Sequence, residues 1–125
     1  MEVGILVFNG ADELDVVGPY RVFGAVNEMA AALNAPEMNL HLVAEALGSV
    51  QLGAGLVIMP TDVYITCPEL DVLLVPGGSS SNPEFGRRAQ QANHQTVDFV
   101  RARSEEAKLT SSVCTGAFIL AEAGL

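Results

Sequence analysis

The chain contains no tryptophan, and its aromatics are two tyrosines and five phenylalanines. Core filling therefore falls to valine, leucine, alanine and isoleucine, a bias that suits a buried parallel sheet covered by helices. Basic residues are scarce, six Lys and Arg against fifteen Asp and Glu, for a formal net charge of -9. That balance excludes nucleic acid as a partner of this chain, because phosphate recognition needs clustered cations. It argues equally against an anionic membrane surface. No apolar run approaches the roughly 20 residues of a membrane-spanning helix. Met1 to Phe8 shows no basic region and no small-residue cleavage site, so no secretory signal is read there and the expected compartment is the cytoplasm. The only cysteines are Cys67 and Cys114, without a C-x-x-C. Neither a disulfide framework, a metal site nor a cofactor is expected.

What is present fits one α/β domain over residues 1–125, half of it hydrophobic. Val3 to Phe8 reads as a buried strand ending at the turn signal Asn9-Gly10. An acidic stretch, Asp12-Glu13-Leu14-Asp15, precedes Gly18-Pro19. Proline suits a first helical turn, which predicts a helix from Pro19 to about Leu33. Val22, Phe23, Val26, Met29, Ala30 and Leu33 give it one apolar face, expected to meet the core. Leu40 to Ala44 reads as a second strand. Ser49–Leu52 and Leu56–Met59 read as a hairpin or a bent extension around Gly53-Ala54-Gly55. Thr61 to Cys67 has no clear period, and Cys67 before Pro68 reads as a packed structural thiol. Asp71–Val75 is a strand stopped by Pro76-Gly77-Gly78. Glu84 to about Arg103 reads as one solvated helix, with Arg87, Arg88, Arg101 and Arg103 on a solvated face rather than at a phosphate site. Ala107–Val113 is the last strand. The alternation predicts a doubly wound, mostly parallel, flavodoxin-like sheet with right-handed crossovers and helices on both faces.

Ser112-Val113-Cys114-Thr115-Gly116 has the form of a nucleophile elbow. The chain turns sharply from strand to helix, which exposes the side chain at the corner and demands small residues two before and two after it. The helix that follows directs free N–H groups and a positive dipole end at the sulfur, and both favour thiolate. The bland reading is a cysteine packed as a small hydrophobe. Three loops leave strand carboxyl ends, where such sheets bind ligands: Asn9–Pro19, Pro76–Pro83 and the elbow. Asp15 is the candidate proton manager, against the alternative that Asp12, Glu13 and Asp15 form a solvated, capping loop. Facing Cys114 it would have to be protonated, because adjacent anions disfavour each other. Gly77, Gly78 and the amide of Thr115 are the candidate oxyanion donors. His41 lies in a strand pattern and His94 in a helix pattern, so a Cys–His dyad within this chain is not expected.

At Val3–Phe8, Leu14–Phe23, Leu73–Gly78 and Ser111–Ala117 the sequence resembles the DJ-1/PfpI superfamily, the class I glutamine amidotransferase-like fold. The resemblance covers the chain end to end. It implies that Asp15 falls where the family keeps a protonated Glu or Asp beside the cysteine. The Asp-x-x-Gly-Pro and Val-Cys-Thr-Gly forms are most similar to isocyanide hydratases and to the ligand domain of AraC-type regulators. The implied function is cysteine-dependent hydration of an isocyanide. A non-catalytic sensing domain is the alternative, and a redox-responsive protein, in which an exposed low-pKa cysteine oxidises, is a further one. Thr115 stands where protease-like members carry His, which argues against peptidase activity. The family's domains run on past the elbow helix, so the domain is expected to be incomplete at its C-terminus. A small-molecule substrate and a homodimer are expected, the latter from the family.

Overall fold

The computed structural model describes all of residues 1–125. In chain order its elements are β1 (Glu2–Leu6), α1 (Glu13–Ala32), β2 (Asn39–Ala44), β3 (Val50–Gln51), β4 (Val57–Ile58), β5 (Asp62–Val63), β6 (Val72–Val75), α2 (Gly86–Ala92), α3 (His94–Glu106), β7 (Leu109–Ser112), a 3-10 turn (Cys114–Gly116) and α4 (Ala117–Glu122). Five strands form one parallel sheet in the order β5-β2-β1-β6-β7. The order reverses direction at β1. Right-handed crossovers then send α1 to one face and α3 to the other, which is the doubly wound arrangement expected. The sheet core is aliphatic: Val3, Leu6, Val43, Leu73 and Val75 are fully buried. β3 and β4 make a separate antiparallel hairpin.

Three expectations are corrected. The first helix starts at Glu13, six residues before Pro19, and the proline lies inside it. Asp12 is the N-cap, its side chain accepting from the Leu14 N–H at 2.9 Å. An N-cap aspartate followed by the acidic residues Glu13 and Asp15 in the first turn was the available signal for this start. Pro19 lies beyond the first turn and has no N–H to return to the Asp15 carbonyl, so the helix lacks that bond.

The second correction concerns the span 84–103. It holds two helices broken at Asn93, whose side chain caps α3 by accepting from Gln95 N–H and also donates to Glu45 at 2.6 Å. The third concerns the apolar face of α1. Val22, Val26, Met29 and Leu33 are exposed, and only Asp15 and Val16 of the helix are buried. Phe23 alone of that group packs against the core, as a partly buried residue.

Candidate active site

Cys114 carries the decisive backbone feature. Its φ is 54°, in the left-handed region, and its side chain is exposed. A non-glycine residue held there costs on the order of 1–3 kcal/mol, and surrounding structure must hold it in place. That structure is visible at Gly116, where a Cβ would run into the carbonyl oxygens of Val75 and Pro76. The β7–α4 corner is thus pressed against the end of β6, and only glycine fits the contact.

Asp15 lies in the first turn of α1 and is 8% exposed. Its Oδ2 accepts from the Gly77 N–H at 3.0 Å, in a buried bond across 62 residues. Gly77 is also where Thr115 arrives: a Cβ there would lie 2.6 Å from Thr115 Oγ1, 2.7 Å from its amide nitrogen and 3.1 Å from Asp15 Oδ2. Gly78 N–H donates to Thr115 Oγ1 at 3.3 Å. Asp15, Gly77, Gly78 and Thr115 therefore meet at one point beyond the ends of β1, β6 and β7, at the base of the elbow. Of the two glycine amides, that of Gly77 is engaged by the acid and that of Gly78 by the threonine hydroxyl.

Backbone bonds tie the Asn9–Pro19 and Pro76–Pro83 loops to each other and to the start of α2. Asp12 N–H donates to Gly77 O at 3.0 Å, Gly86 N–H to Asn9 O at 2.8 Å and Arg87 N–H to Gly78 O at 3.0 Å. Gly78 has φ 148°, and a Cβ on it would strike Gly10 O. The tip of the β3–β4 hairpin also contributes, which sequence reading missed. Gly53 N–H donates to Ala11 O at 2.8 Å and Ala54 N–H to Glu13 Oε1 at 2.6 Å. Glu13 thus clamps the hairpin over the start of α1 instead of lying free in solvent.

The remaining candidates lie elsewhere. His41 is held between Asp62 (2.7 Å to Nδ1) and Glu2 (2.6 Å to Nε2), toward the amino ends of the strands and away from Cys114. His94 is the first residue of α3. Cys67 is buried, and burial pushes its thiol up to about 11. No group of three or more His, Cys, Asp or Glu side chains is placed to hold a metal ion. A cavity of about 450 Å³ opens beyond β1 and β2, lined by Phe8, Asn9, Glu45, Tyr64, Gln90 and Asn93 among others, without Cys114 or Asp15.

A doubly wound parallel sheet whose last strand turns through a strained, exposed cysteine defines an elbow-cysteine α/β domain. The comparisons with known proteins agree: the DJ-1/PfpI family model matches residues 1–125, and the chain belongs to that family. It is 35% identical over 125 residues to an isonitrile hydratase from Pseudomonas putida, covering all of this chain and 48% of that one. A crystal structure of a THiJ/PfpI family protein from Pseudomonas syringae superposes with TM-score 0.84 at 35% identity, covering 99% of this chain and 46% of that one. The fold also recurs in Schizosaccharomyces pombe DJ-1, at TM-score 0.72 and 16% identity, over 100% of this chain and 64% of that one. The chain spans about half the length of the isonitrile hydratase and of the Pseudomonas syringae protein. No helix is long and apolar enough to cross a membrane.

Proposed function

We propose that the domain belongs to an isocyanide hydratase, converting R–N≡C and water to R–NH–CHO. The observation that carries this reading is the meeting of Asp15 and Thr115 at Gly77, at the base of the exposed, strained Cys114. The relative at 35% identity, an isonitrile hydratase, supplies the reaction class. The Cys114 thiolate attacks the terminal isocyanide carbon and forms a C–S bond. The carboxyl proton of Asp15 passes to the same carbon, giving the thioimidate R–N=CH–S. Asp15, now a carboxylate, takes a proton from water as the hydroxyl adds to that carbon. The C–S bond breaks, the hydroxyl proton moves to nitrogen, and the formamide leaves with thiolate and carboxyl restored. The Gly77 N–H orients Asp15, the Gly78 N–H is taken up by Thr115 Oγ1, and the Thr115 amide is the donor assigned to polarised intermediates.

The proposal extends to a cytoplasmic homodimer. The compartment is supported by two free cysteines and the dimer by the exposed stripe on α1.

The test is formamide production from an alkyl isocyanide, followed by NMR. Cys114→Ala should abolish it. Asp15→Asn should lower it by roughly 10²–10⁴-fold, the usual worth of a positioned general acid. Turnover that survives Cys114→Ala overturns the mechanism. Saturable binding of the isocyanide without turnover in the wild type would instead indicate a sensing domain.

A further inference from the structure

We propose that the pocket beside the elbow, built by Arg87 and Arg88 with the Gly78–Ser81 loop, is an oxyanion subsite. It would hold a carboxylate or phosphate carried by the molecule that reacts at Cys114. This deepens the hydratase reading by naming its substrate class, and rests on it.

The starting point is charge pairing. Only six side chains are basic in a chain of net charge -9. Four of them are paired with carboxylates: Arg21 with Glu28, Arg101 with Asp98, Arg103 with Glu106 and Lys108 with Asp71. Arg87 and Arg88 are the two that have no carboxylate partner. They stand side by side in sequence and line the same cavity, of about 320 Å³, with Gly78, Ser79, Ser80 and Ser81. Phe85 is the single apolar residue of that lining. Two cations on one cavity without a carboxylate to neutralise them leave a place where an anion gains charge-assisted bonds.

Arg87 is built into the site rather than solvated, which corrects the expectation of a solvated face for this residue. Its guanidinium lies 4.5 Å from the centre of the Phe118 ring, on the helix that follows Cys114. Its Nη1 donates to Gln91 Oε1 at 2.6 Å, a neutral acceptor. Its Nε is buried and has no hydrogen-bond partner. An Nε with no exposed surface does not itself reach a ligand, but its burial fixes the guanidinium, whose remaining donors match an oxyanion. Three consecutive serines supply hydroxyl donors around the same space.

The position ties this pocket to the reaction. Gly78 lines it, and the Gly78 N–H reaches Thr115 Oγ1 on the other side. Arg87 N–H holds Gly78 O at 3.0 Å, so the arginine helix and the glycine loop keep one register. A substrate with its reacting carbon at Cys114 would direct its substituent across Gly78 toward the arginines.

Two measurements test this. The first compares kcat/KM for an ω-carboxyalkyl isocyanide and its methyl ester. The acid should be preferred by at least about tenfold, through KM, and the ratio should fall toward one in Arg88→Gln. An equal rate for acid and ester overturns the proposal. The second needs no turnover: iodoacetamide alkylation of Cys114, with succinate or inorganic phosphate as protectant. Arg88 is exposed, so Arg88→Gln keeps the fold. Protection by succinate that Arg88→Gln abolishes supports a carboxylate ligand, and protection by phosphate alone a phosphate ester. Protection by neither, or protection that survives the substitution, overturns the subsite. If no formamide forms yet protection is seen, the hydratase reading fails while the oxyanion subsite stands.

Discussion

At the scale of single residues, Gly77 does more than end a strand. Its missing side chain is the space in which Asp15 and Thr115 approach each other, so Gly77→Ala pushes on both. We expect it to cost about 1–3 kcal/mol, the usual range for overpacking, and to lower turnover as Asp15 is displaced. Chemical denaturation and formamide assays on the same variant check both. Gly24, within α1, has only Arg21 Nη1, at 3.8 Å, near an added Cβ, so Gly24→Ala should stabilise by roughly 0.5–1 kcal/mol through helix propensity.

His41 sets a pH dependence with a definite sign. Burial alone would lower its pKa, but its hydrogen bonds to the Glu2 and Asp62 carboxylates raise it overall. A raised folded-state value means that its contribution is fully present below the unfolded value of about 6.5. It is lost as pH climbs through the folded value. Glu2 and Asp62 have lowered values. Bonds from Asn39 and then His41 lower Glu2, and bonds from His41 and Thr61 outweigh burial at Asp62. Their contribution is present above ordinary carboxylate values and fades in acid. Wild-type stability should therefore decline on the alkaline side of pH 6.5, and His41→Gln should flatten that decline in denaturation curves from pH 6 to 9.

At the scale of elements, the α2–α3 break depends on one side chain. Asn93 caps α3 and bonds Glu45 at the end of β2, so it fastens the helical layer to the sheet. Asn93→Ala should cost about 1 kcal/mol in urea unfolding, the typical worth of an N-cap. Sequence reading runs 84–103 together by placing Ala89, Ala92, Val97 and Val100 on one inward face, yet the step of five from Ala92 to Val97 departs from helical spacing. The break falls inside that step, at Asn93, which leaves helical backbone geometry. The start of α1 is a different case. Its signal was local, Asp12 followed by Glu13 and Asp15, and the Gly18-Pro19 pair outweighed it.

At the scale of the whole molecule, α1 is the unfinished part. Val22, Val26, Met29 and Leu33 recur at spacings of four, three and four, so they form one continuous stripe on its exposed side. A stripe of this kind can meet its own copy about a two-fold axis. Light scattering after gel filtration should give a dimer, and Met29→Glu should convert it to monomer. A monomeric wild type would overturn the dimer.

The strand–helix alternation, the elbow and the two loops that face it were legible in residue order alone, whereas β5 was not, because Thr61 to Cys67 has no clear period. Buried strands, turn glycines and a cysteine between small residues are local patterns, and right-handed crossovers leave few ways to connect them. The amphipathic spacing of α1 was equally plain, but periodicity shows only that one face is apolar, not what covers it. Tertiary structure decided the rest: that Asp15 bonds Gly77 across 62 residues, that Cys114 is held at positive φ by contact between Gly116 and the end of β6, and that two of six cations lack a carboxylate. Each of these depends on distances between segments far apart in the chain, which no local pattern encodes.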